Sequence, residues 1–165
     1  MNDLLEVGSD VLVNDKTLNE IEKVGIHLPQ VECPVVHHFL PGFYLREFRA
    51  HAGTFIISKI HKQVNLFSVT KGSVSVWDEK NGVQLIKAGD TGITQPGTRR
   101  ALYVHEDLVW VTAHPMMETN LENIEKILID DSPNPLLSED EKHIFNSIKQ
   151  FHAQNPNDHV LPDSE

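Results

Sequence analysis

Cysteine is nearly absent from this chain of 165 residues, which contains only Cys33. A single cysteine excludes a framework of internal disulfides and suits a reducing compartment. The chain also lacks an apolar run near the roughly 20 residues needed to cross a bilayer, and its first residues are acidic where a secretory signal would be basic. We therefore expect a cytoplasmic protein of about one domain, with no membrane as a partner.

Positive charge is scarce as well, because 14 lysines and arginines face 24 aspartates and glutamates, giving a net charge of −10. This balance argues against nucleic acid as a partner, since nucleic-acid binding relies on clustered lysine and arginine. Residues 115–165 contain eleven acidic and three basic residues, whereas residues 40–114 contain six acidic and nine basic ones. The acidity therefore belongs to a C-terminal extension, and the central segment is mildly basic.

Short strand-like segments fill the centre of the chain, which contains no internal repeat. From about Val35 to His114, segments such as FYLREFRA, TFIISKIH and SVSVWDE are rich in β-branched and aromatic residues. Gly, Asn, Asp or Pro separates most of these segments, and Lys80-Asn81-Gly82 predicts a hairpin with a two-residue turn. About eight short strands at this spacing predict an antiparallel sandwich or jelly-roll barrel.

Helical patterns flank the strands on both sides. Thr17 and Glu20 form a capping-box pattern, and Gly25 is expected to end a short N-terminal helix. On the C-terminal side we predict a helix near 119–130 and a second helix that opens with another capping box. The apolar positions of the three helices are Leu18, Ile21 and Val24; Leu121, Ile124 and Leu128; and Ile144, Ile148 and Phe151.

These patterns divide the chain into four parts. We expect an N-terminal arm over residues 1–34, a barrel over 35–114, an acidic helical extension over 115–152 and a disordered tail over 153–165. The apolar stripes of the extension are interpreted as packing surfaces, against either the barrel or a neighbouring subunit.

Four glycines carry the most specific signal. Gly53 and Gly72 frame the spacing G-x5-H-x-H-x3-E-x6-G, and Gly89 and Gly97 match the glycines of G-x5-P-x-G-x2-H-x3-N. These are the two motifs of the cupins, small jelly-roll barrels, and the chain resembles that superfamily over about residues 40–114. The resemblance implies a mainly β, cupin-type antiparallel jelly-roll barrel with a short N-terminal helical arm and a C-terminal helical extension.

The chain also resembles one subgroup of the cupins. The segments KIHK, PGTRR and EDLVW, followed by an acidic helix, are similar to those of small single-domain cupins found in bacteriophage genomes. That similarity implies no established activity, and it would place the protein in the host cytoplasm. Small cupins commonly associate, which implies a homodimer or a higher homo-oligomer.

The side chains between the glycines depart from the cupin pattern. Cupin metal sites use three imidazoles and one carboxylate, which suits iron, manganese, nickel or zinc. In this chain the corresponding positions are Lys59, His61, Asn65 and Arg100. Because a cation beside a divalent ion is unfavourable, no metal cofactor is expected at this position. A rearranged site is the alternative, with His61 and His114, since alternation places Trp110, Thr112 and His114 on one strand face.

The same four positions predict a binding site for an anion. In a cupin they point into the barrel mouth, where Arg offers a planar fork, Lys a point charge and Asn65 both a donor and an acceptor. Phe67 and Trp110 are expected to form apolar walls. The opposing interpretation is that Lys59 and Arg100 pair with protein carboxylates at the rim; the candidates are Glu47, Glu106 and Asp107.

Three hypotheses for function remain open. The first is a cupin with a degenerate metal site that binds a small anionic molecule through Lys59, His61, Asn65 and Arg100. The second is an enzyme: a metal-dependent oxygenase or isomerase, or a metal-free isomerase with His61 as its general base. The third is a phage-encoded structural or interaction protein with a vestigial pocket. The chain shows no evident Ser/His/Asp, Cys/His or paired-carboxylate constellation that would select the second.

Overall fold

The computed structural model describes residues 16–154, and within that range it contains nine strands and three helices. The strands are β1 (Val35–Leu40), β2 (Phe43–Ala50), β3 (Phe55–Ile57), β4 (Ile60–His61), β5 (Asn65–Asp78), β6 (Gly82–Lys87), β7 (Thr91–Thr94), β8 (Ala101–Pro115) and β9 (Ile129–Asp130). The helices are α1 (16–25), α2 (Leu121–Leu128) and α3 (Glu139–Gln154). No helix in this range is long and apolar enough to cross a membrane.

The strands form a rolled antiparallel sheet. Seven strands join in the order β1-β2-β8-β5-β6, with β3 paired to β8 and β7 paired to β5, while β4 and β9 form a separate pair. The long strand β8 is shared: its first residues pair with β3, its last residues pair with β2, and β5 lies along its other side. The mainly β, antiparallel prediction is confirmed, including the helices at both ends.

The four motif glycines sit where the chain turns. Gly53, Gly72, Gly89 and Gly97 have φ values of 84°, 84°, 98° and 83°, in the left-handed region that favours glycine. Gly72 is the most constrained, because a Cβ there would lie 2.2 Å from the carbonyl oxygen of Asp107. These four glycines therefore mark backbone turns.

The core lies between the two halves of the rolled sheet. Inward residues of β5 and β8 include Val69, Val74, Val104 and Leu108, which are almost completely buried. Register shifts between Val69 and Val74 allow both to face inward although they are an odd number of positions apart. They belong to one apolar cluster that extends to Trp110. Burial of this apolar surface supplies the main driving force for the barrel.

The hairpin between β5 and β6 differs from the prediction. The loop consists of the three residues 79–81. Among residues 79–82, Gly82 alone has a positive φ. Asp78 explains the difference, because its carboxylate accepts hydrogen bonds from the backbone and side-chain nitrogens of Asn81. This Asx-type contact stabilises a longer turn than Asn-Gly alone would form.

Helix α1 is held by polar as well as apolar contacts. Leu18 is fully buried, but 36% of Ile21 and 63% of Val24 are exposed, so the three apolar positions do not form one buried face. The buried face instead includes Asn19, because Arg99 donates hydrogen bonds to the Asn19 and Glu22 side chains. Residue 16 is already helical, so Thr17 lies inside the helix rather than capping it. The capping-box spacing also occurs within helices, which explains this error.

The C-terminal helices begin at clear caps. Asn120 accepts a hydrogen bond from the Asn123 amide at the start of α2. Ser138 and Glu141 form the predicted reciprocal capping box of α3, at 3.2 Å and 2.8 Å. The α3 residues Ile144, Ile148 and Phe151 line an open groove; Ile26, Gln30 and Ser147 complete its lining. Helix α3 continues to Gln154, and the rest of the predicted tail, 155–165, lies outside the described residues, as do residues 1–15 of the arm.

Candidate functional site

Polar side chains gather at one end of the barrel interior, beside the apolar core. Strands β2, β4, β5 and β8 and the residue before β8 each contribute one of them. We call this set the polar cluster, and it consists of Arg46, His61, Asn65, Arg100 and His114. Its members act on one another electrostatically: His61 feels the charges of Arg46 and Arg100, and His114 feels those of His61 and Arg46. The sequence analysis assigned His61, Asn65 and Arg100 to the anion site and His114 to the alternative metal site, and it did not assign Arg46.

Asn65 is the most unusual member, because it is only 3% exposed and neither end of its amide is paired. Its Nδ2 and Oδ1 atoms are both buried without a hydrogen-bond partner in residues 16–154. Asn65 pairs with Thr94 of β7, and the register that pairs Leu66 with Ala113 places it across from His114. Burying an unpaired amide costs about 1–3 kcal/mol, so such groups need an explanation.

Arg46 supplies a positive charge that the sequence analysis did not assign. It lies on β2 between the inward residues Tyr44 and Phe48, with its guanidinium carbon 5.6 Å from the centre of the Phe48 ring. The structure shows no hydrogen bond or ion pair between Arg46 and another residue of 16–154, and the side chain is half-buried. Burial lowers its pKa below the usual value, and the nearby Tyr44 and Glu125 oppose this shift. Its position next to aromatic residues of the same strand face was the available signal.

Arg100 is the second cation of the polar cluster, and it is better supported than Arg46. Its Nη1 donates to the hydroxyl of Thr94 at 3.0 Å, and its Nε lies 3.9 Å from a carboxylate oxygen of Asp78. Its guanidinium carbon also lies 5.7 Å from the centre of the Phe67 ring. Arg100 is therefore held in place by an anion, a hydroxyl and an aromatic face.

The two imidazoles of the polar cluster are neutral near pH 7. Burial, and then the charges of Arg100 and Arg46, lower the pKa of His61 to about 4. Burial, then His61 and Arg46, lower the pKa of His114 to about 4 as well. The Nε2 of His114 lies 2.9 Å from the Thr112 hydroxyl, while its Nδ1 is buried without a partner in the described part of the chain. His114 thus leaves one ring nitrogen available.

Phe67 and Trp110 form a wall beside these groups, and their contact with a ligand stays a prediction. Their ring centres are 4.6 Å apart with an interplanar angle of 25°, and both side chains are at least nine-tenths buried. Trp110, Thr112 and His114 are all buried on the same face of β8, which agrees with the predicted alternation. The polar cluster therefore borders directly on the apolar core.

Lys59 lies at the rim and not with the other cations. Its side chain is 46% exposed, and its Nζ lies 2.7 Å from a carboxylate oxygen of Glu125 in α2. The prediction that Lys59 points inward fails because β3 ends at Ile57 and β4 starts at Ile60, which interrupts the strand alternation. The carboxylates considered from sequence have other partners: Glu47 contacts Arg49, Glu106 contacts Ser73, and Asp107 contacts the Ala52 amide.

Helix α2 lies across the barrel end that contains the polar cluster. Its buried residues Ile124 and Leu128 pack against Tyr44, whose ring stacks on that of His114 at 5.7 Å. The following strand β9 pairs His61 with Ile129. The Lys59–Glu125 ion pair closes the same end at the rim. The C-terminal extension therefore covers the candidate site.

Comparison with known proteins bears on the fold. No protein-family model and no curated protein matches the sequence. Among solved structures, ectoine synthase from P. lautus superposes with a TM-score of 0.50 and 14% identity, over 68% of this chain and 84% of that one. A cupin-2 domain containing protein from Shewanella frigidimarina matches with a TM-score of 0.42 and 10% identity, over 58% of this chain and 90% of that one. An uncharacterised protein with a double-stranded β-helix domain from Klebsiella pneumoniae matches with a TM-score of 0.44 and 21% identity, over 52% of this chain and 78% of that one.

The superposition on ectoine synthase agrees with the rolled antiparallel sheet. The chain has the cupin fold. At such low identities the cupin likeness concerns the fold alone, and the similarity to bacteriophage cupins and the homo-oligomer stay predictions.

The metal site of a cupin needs a set of donors that this polar cluster does not offer. It contains two imidazoles, an amide and two guanidinium groups, and guanidinium groups cannot act as ligands. Among residues 16–154, no three His, Cys, Asp or Glu side chains form a group that could hold a metal ion. A metal ion here would also face the charges of Arg46 and Arg100 at short range. The residues present therefore do not fit a divalent metal.

Proposed function

We propose that this cupin-fold protein binds a small anionic molecule at the polar cluster without a metal ion. One observation carries the proposal: Arg46 forms no ion pair within residues 16–154, since Glu125 acts on it only from beyond ion-pair distance, and it shares the barrel end with the unpaired, buried amide of Asn65. A half-buried cation without an ion pair and an unpaired amide both lower stability, and a bound anion with a polar group would relieve both.

The other members of the polar cluster fit this role. Arg100 presents a second guanidinium that Asp78, Thr94 and Phe67 hold in place, so little ordering is needed on binding. The free Nδ1 of His114 offers one more hydrogen bond. Arg46 thus takes the place that the sequence analysis gave to Lys59.

Access to the site requires movement of α2. The amide atoms of Asn65 are buried, and α2 covers this end of the barrel through Ile124, Leu128 and the Lys59–Glu125 ion pair. An exposed ion pair of this kind contributes about 0–1 kcal/mol, so breaking the Lys59–Glu125 pair adds little to the free energy needed to move α2. We therefore assign Lys59 to the closure of the site rather than to the ligand.

Catalysis by His61 is less well supported than binding. A general base works best when its pKa lies near the working pH, and the pKa of His61 is about 4. The imidazole is therefore a weak base at neutral pH. A metal-dependent reaction would need ligands that the polar cluster does not contain. Binding of an anion explains Arg46 and Asn65, whereas the enzyme hypotheses explain neither.

The test is a thermal-shift screen of small carboxylates, inorganic phosphate, sugar phosphates and nucleotides, followed by calorimetric titration of the anions that stabilise the protein. We expect at least one anion to bind, and Arg46→Met to weaken it at least tenfold. Arg49→Met is the matched control, because Arg49 lies on the same strand and contacts Glu47 instead; it should leave the affinity unchanged. Lys59→Ala should change it by less than threefold.

The proposal fails if no anion in the screen raises the melting temperature, or if binding survives both Arg46→Met and Arg100→Met. Either result would favour a structural or interaction protein with a vestigial pocket. Metal analysis of the purified protein gives an independent check: stoichiometric iron, manganese, nickel or zinc that is lost in His61→Ala would also overturn the proposal.

A further inference from the structure

The charged groups around the polar cluster do not balance, and the imbalance limits what can bind there. Among the described residues, Arg100 faces the carboxylate of Asp78, and Lys59 faces that of Glu125. Arg46 lies beyond ion-pair distance of both, although the charge of Glu125 still acts on it. Three cations and two carboxylates leave one positive charge without compensation. Both imidazoles are neutral at pH 7, and so is the half-buried thiol of Cys33, whose pKa burial raises to about 11.

The two remaining groups near Arg46 do not change this count. Burial raises the pKa of the Tyr44 hydroxyl, which accordingly stays protonated, and burial lowers the pKa of His37, which stays neutral. These two side chains also satisfy each other, since the Tyr44 hydroxyl lies 2.7 Å from the Nδ1 of His37. The site therefore offers a single unpaired positive charge.

The unpaired hydrogen-bonding groups add a second constraint. The amide of Asn65 offers one acceptor atom and one donor group, both buried without a partner in the described range. A carboxylate accepts hydrogen bonds but cannot donate one, so a carboxylate alone would leave the Oδ1 of Asn65 unsatisfied. A hydroxyl or carboxamide donates as well as accepts, and would pair with both ends of the Asn65 side chain.

We infer that the ligand is a small monocarboxylate that carries a neutral hydroxyl or carboxamide group, with its carboxylate at Arg46 and its neutral group at Asn65. This inference rests on the proposed function and narrows it. One carboxylate matches the one unpaired charge, and the neutral group matches the unpaired amide. Helix α2, packed over Tyr44, limits the ligand to a small molecule.

The count argues against phosphate esters. A phosphate monoester carries about −1.5 to −2 charges at pH 7, so it would place up to one surplus negative charge in a poorly solvated site. His61 or His114 would have to take up a proton to compensate for it. Binding of a dianion should therefore be coupled to proton uptake, whereas binding of a monocarboxylate should not.

Calorimetric titration at pH 7, in two buffers of different ionisation enthalpy, measures affinity and proton uptake together. The probes are lactate, propionate, N-acetylglycine, malate and glycerol phosphate. We expect lactate or N-acetylglycine to bind at least tenfold more tightly than propionate, malate and glycerol phosphate. Binding of either should take up fewer than about 0.2 protons per ligand molecule. Asn65→Leu should remove the advantage of lactate over propionate, while Arg46→Met should weaken every probe.

The outcomes separate this inference from the proposed function. If malate or glycerol phosphate binds best, without proton uptake and in an Arg46-dependent manner, the inference is overturned and anion binding stands. If propionate equals lactate in the wild-type protein, the assignment of the neutral group to Asn65 is wrong. If no probe binds and the wider anion screen also gives no shift, both proposals fail. Should Asn65→Leu not fold, Asn65→Asp serves instead: its added negative charge should weaken every monocarboxylate at least tenfold.

Discussion

Gly92 of β7 lies directly against Phe67 of β5, because a Cβ at position 92 would be 2.6 Å from the Cζ atom of the Phe67 ring. Gly92 does not have a positive φ, so it is required by the space that Phe67 occupies and not by the backbone conformation. This contact sets the position of the Phe67–Trp110 wall and of the ring over which Arg100 lies.

The substitution Gly92→Ala should therefore disturb the site as well as the barrel. We expect a loss of about 1–3 kcal/mol in the free energy of unfolding, since the added methyl group forces Phe67 out of its place. The emission of Trp110, which stacks on Phe67, should shift. Gly25→Ala is the control, because a Cβ there would meet nothing within 4 Å. Urea unfolding and tryptophan fluorescence measure both effects, and equal stabilities would contradict the argument.

Arg99 joins α1 to the barrel, and its removal should be costly. It is 6% exposed and donates hydrogen bonds to Asn19 and Glu22 at 2.6 Å and 2.9 Å. Arg99→Met would leave the carboxylate of Glu22 without its cation, and breaking a buried pair typically costs about 3–5 kcal/mol. Lys126→Met removes an exposed ion pair and should cost less than about 0.5 kcal/mol. Urea denaturation compares the two; similar losses would show that Arg99 contributes no more than a surface charge.

Arg46→Met should make the protein more stable while it weakens anion binding at least tenfold. The guanidinium is half-buried and forms no ion pair within residues 16–154, so an apolar side chain of similar length removes a desolvation cost without breaking an ion pair. We expect a gain of about 1–3 kcal/mol, or roughly 2–10 °C in melting temperature. Arg49→Met, which does break an ion pair, should not stabilise. A melting temperature that falls in Arg46→Met would indicate a structural role for Arg46.

Stability should decrease between pH 7 and pH 5 because of the buried imidazoles. The pKa of His61 and that of His114 are about 4 in the folded protein, against about 6.5 in an unfolded chain. The unfolded state therefore binds more protons in this window, so stability is complete above pH 6.5 and is lost as the pH falls towards 4. For His114 the loss between pH 7 and 5 is on the order of 1–2 kcal/mol.

Urea unfolding at pH 7, 6 and 5 measures this loss, and titration of the imidazole resonances by NMR assigns it. His114→Asn should flatten the pH dependence, since it removes a titrating group. The window lies above the usual pKa of carboxylates, so Asp and Glu contribute little to it. A stability that does not change from pH 7 to pH 5 would mean that both imidazoles remain in contact with water.

The barrel was predictable from the sequence because its turns require glycine. Gly53, Gly72, Gly89 and Gly97 all adopt the left-handed backbone conformation, and their spacing is independent of the side chains between them. The Ser138–Glu141 cap was predictable for a similar reason, since two side chains three positions apart define it completely. Local structures of this kind are specified by neighbouring residues and do not depend on contacts with the rest of the chain.

The position of Lys59 and the role of Arg46 depend on longer-range geometry. Strand alternation assigns a face only while a strand continues, and the break between Ile57 and Ile60 reverses the direction expected for Lys59. In FYLREFRA, alternation alone leaves open which of Arg46 and Glu47 faces inward. The pairing of β2 with β8 decides it, because it places Arg46 beside Thr112 in the interior. Arg46 and Thr112 lie 66 positions apart, so the local signal, Tyr44 and Phe48 on the strand face of Arg46, does not by itself specify the pairing.

The contact of β9 and α2 with the barrel end has a consequence for dissecting the protein. Strand β9 pairs with the strand that carries His61, and α2 packs on Tyr44. A fragment that stops at Pro115 would retain the long strands but would expose the polar groups to bulk water, so it would report on a different site. The smallest unit worth engineering therefore extends at least to Asp130, because the jelly roll alone would lack the helix and strand that cover the polar cluster.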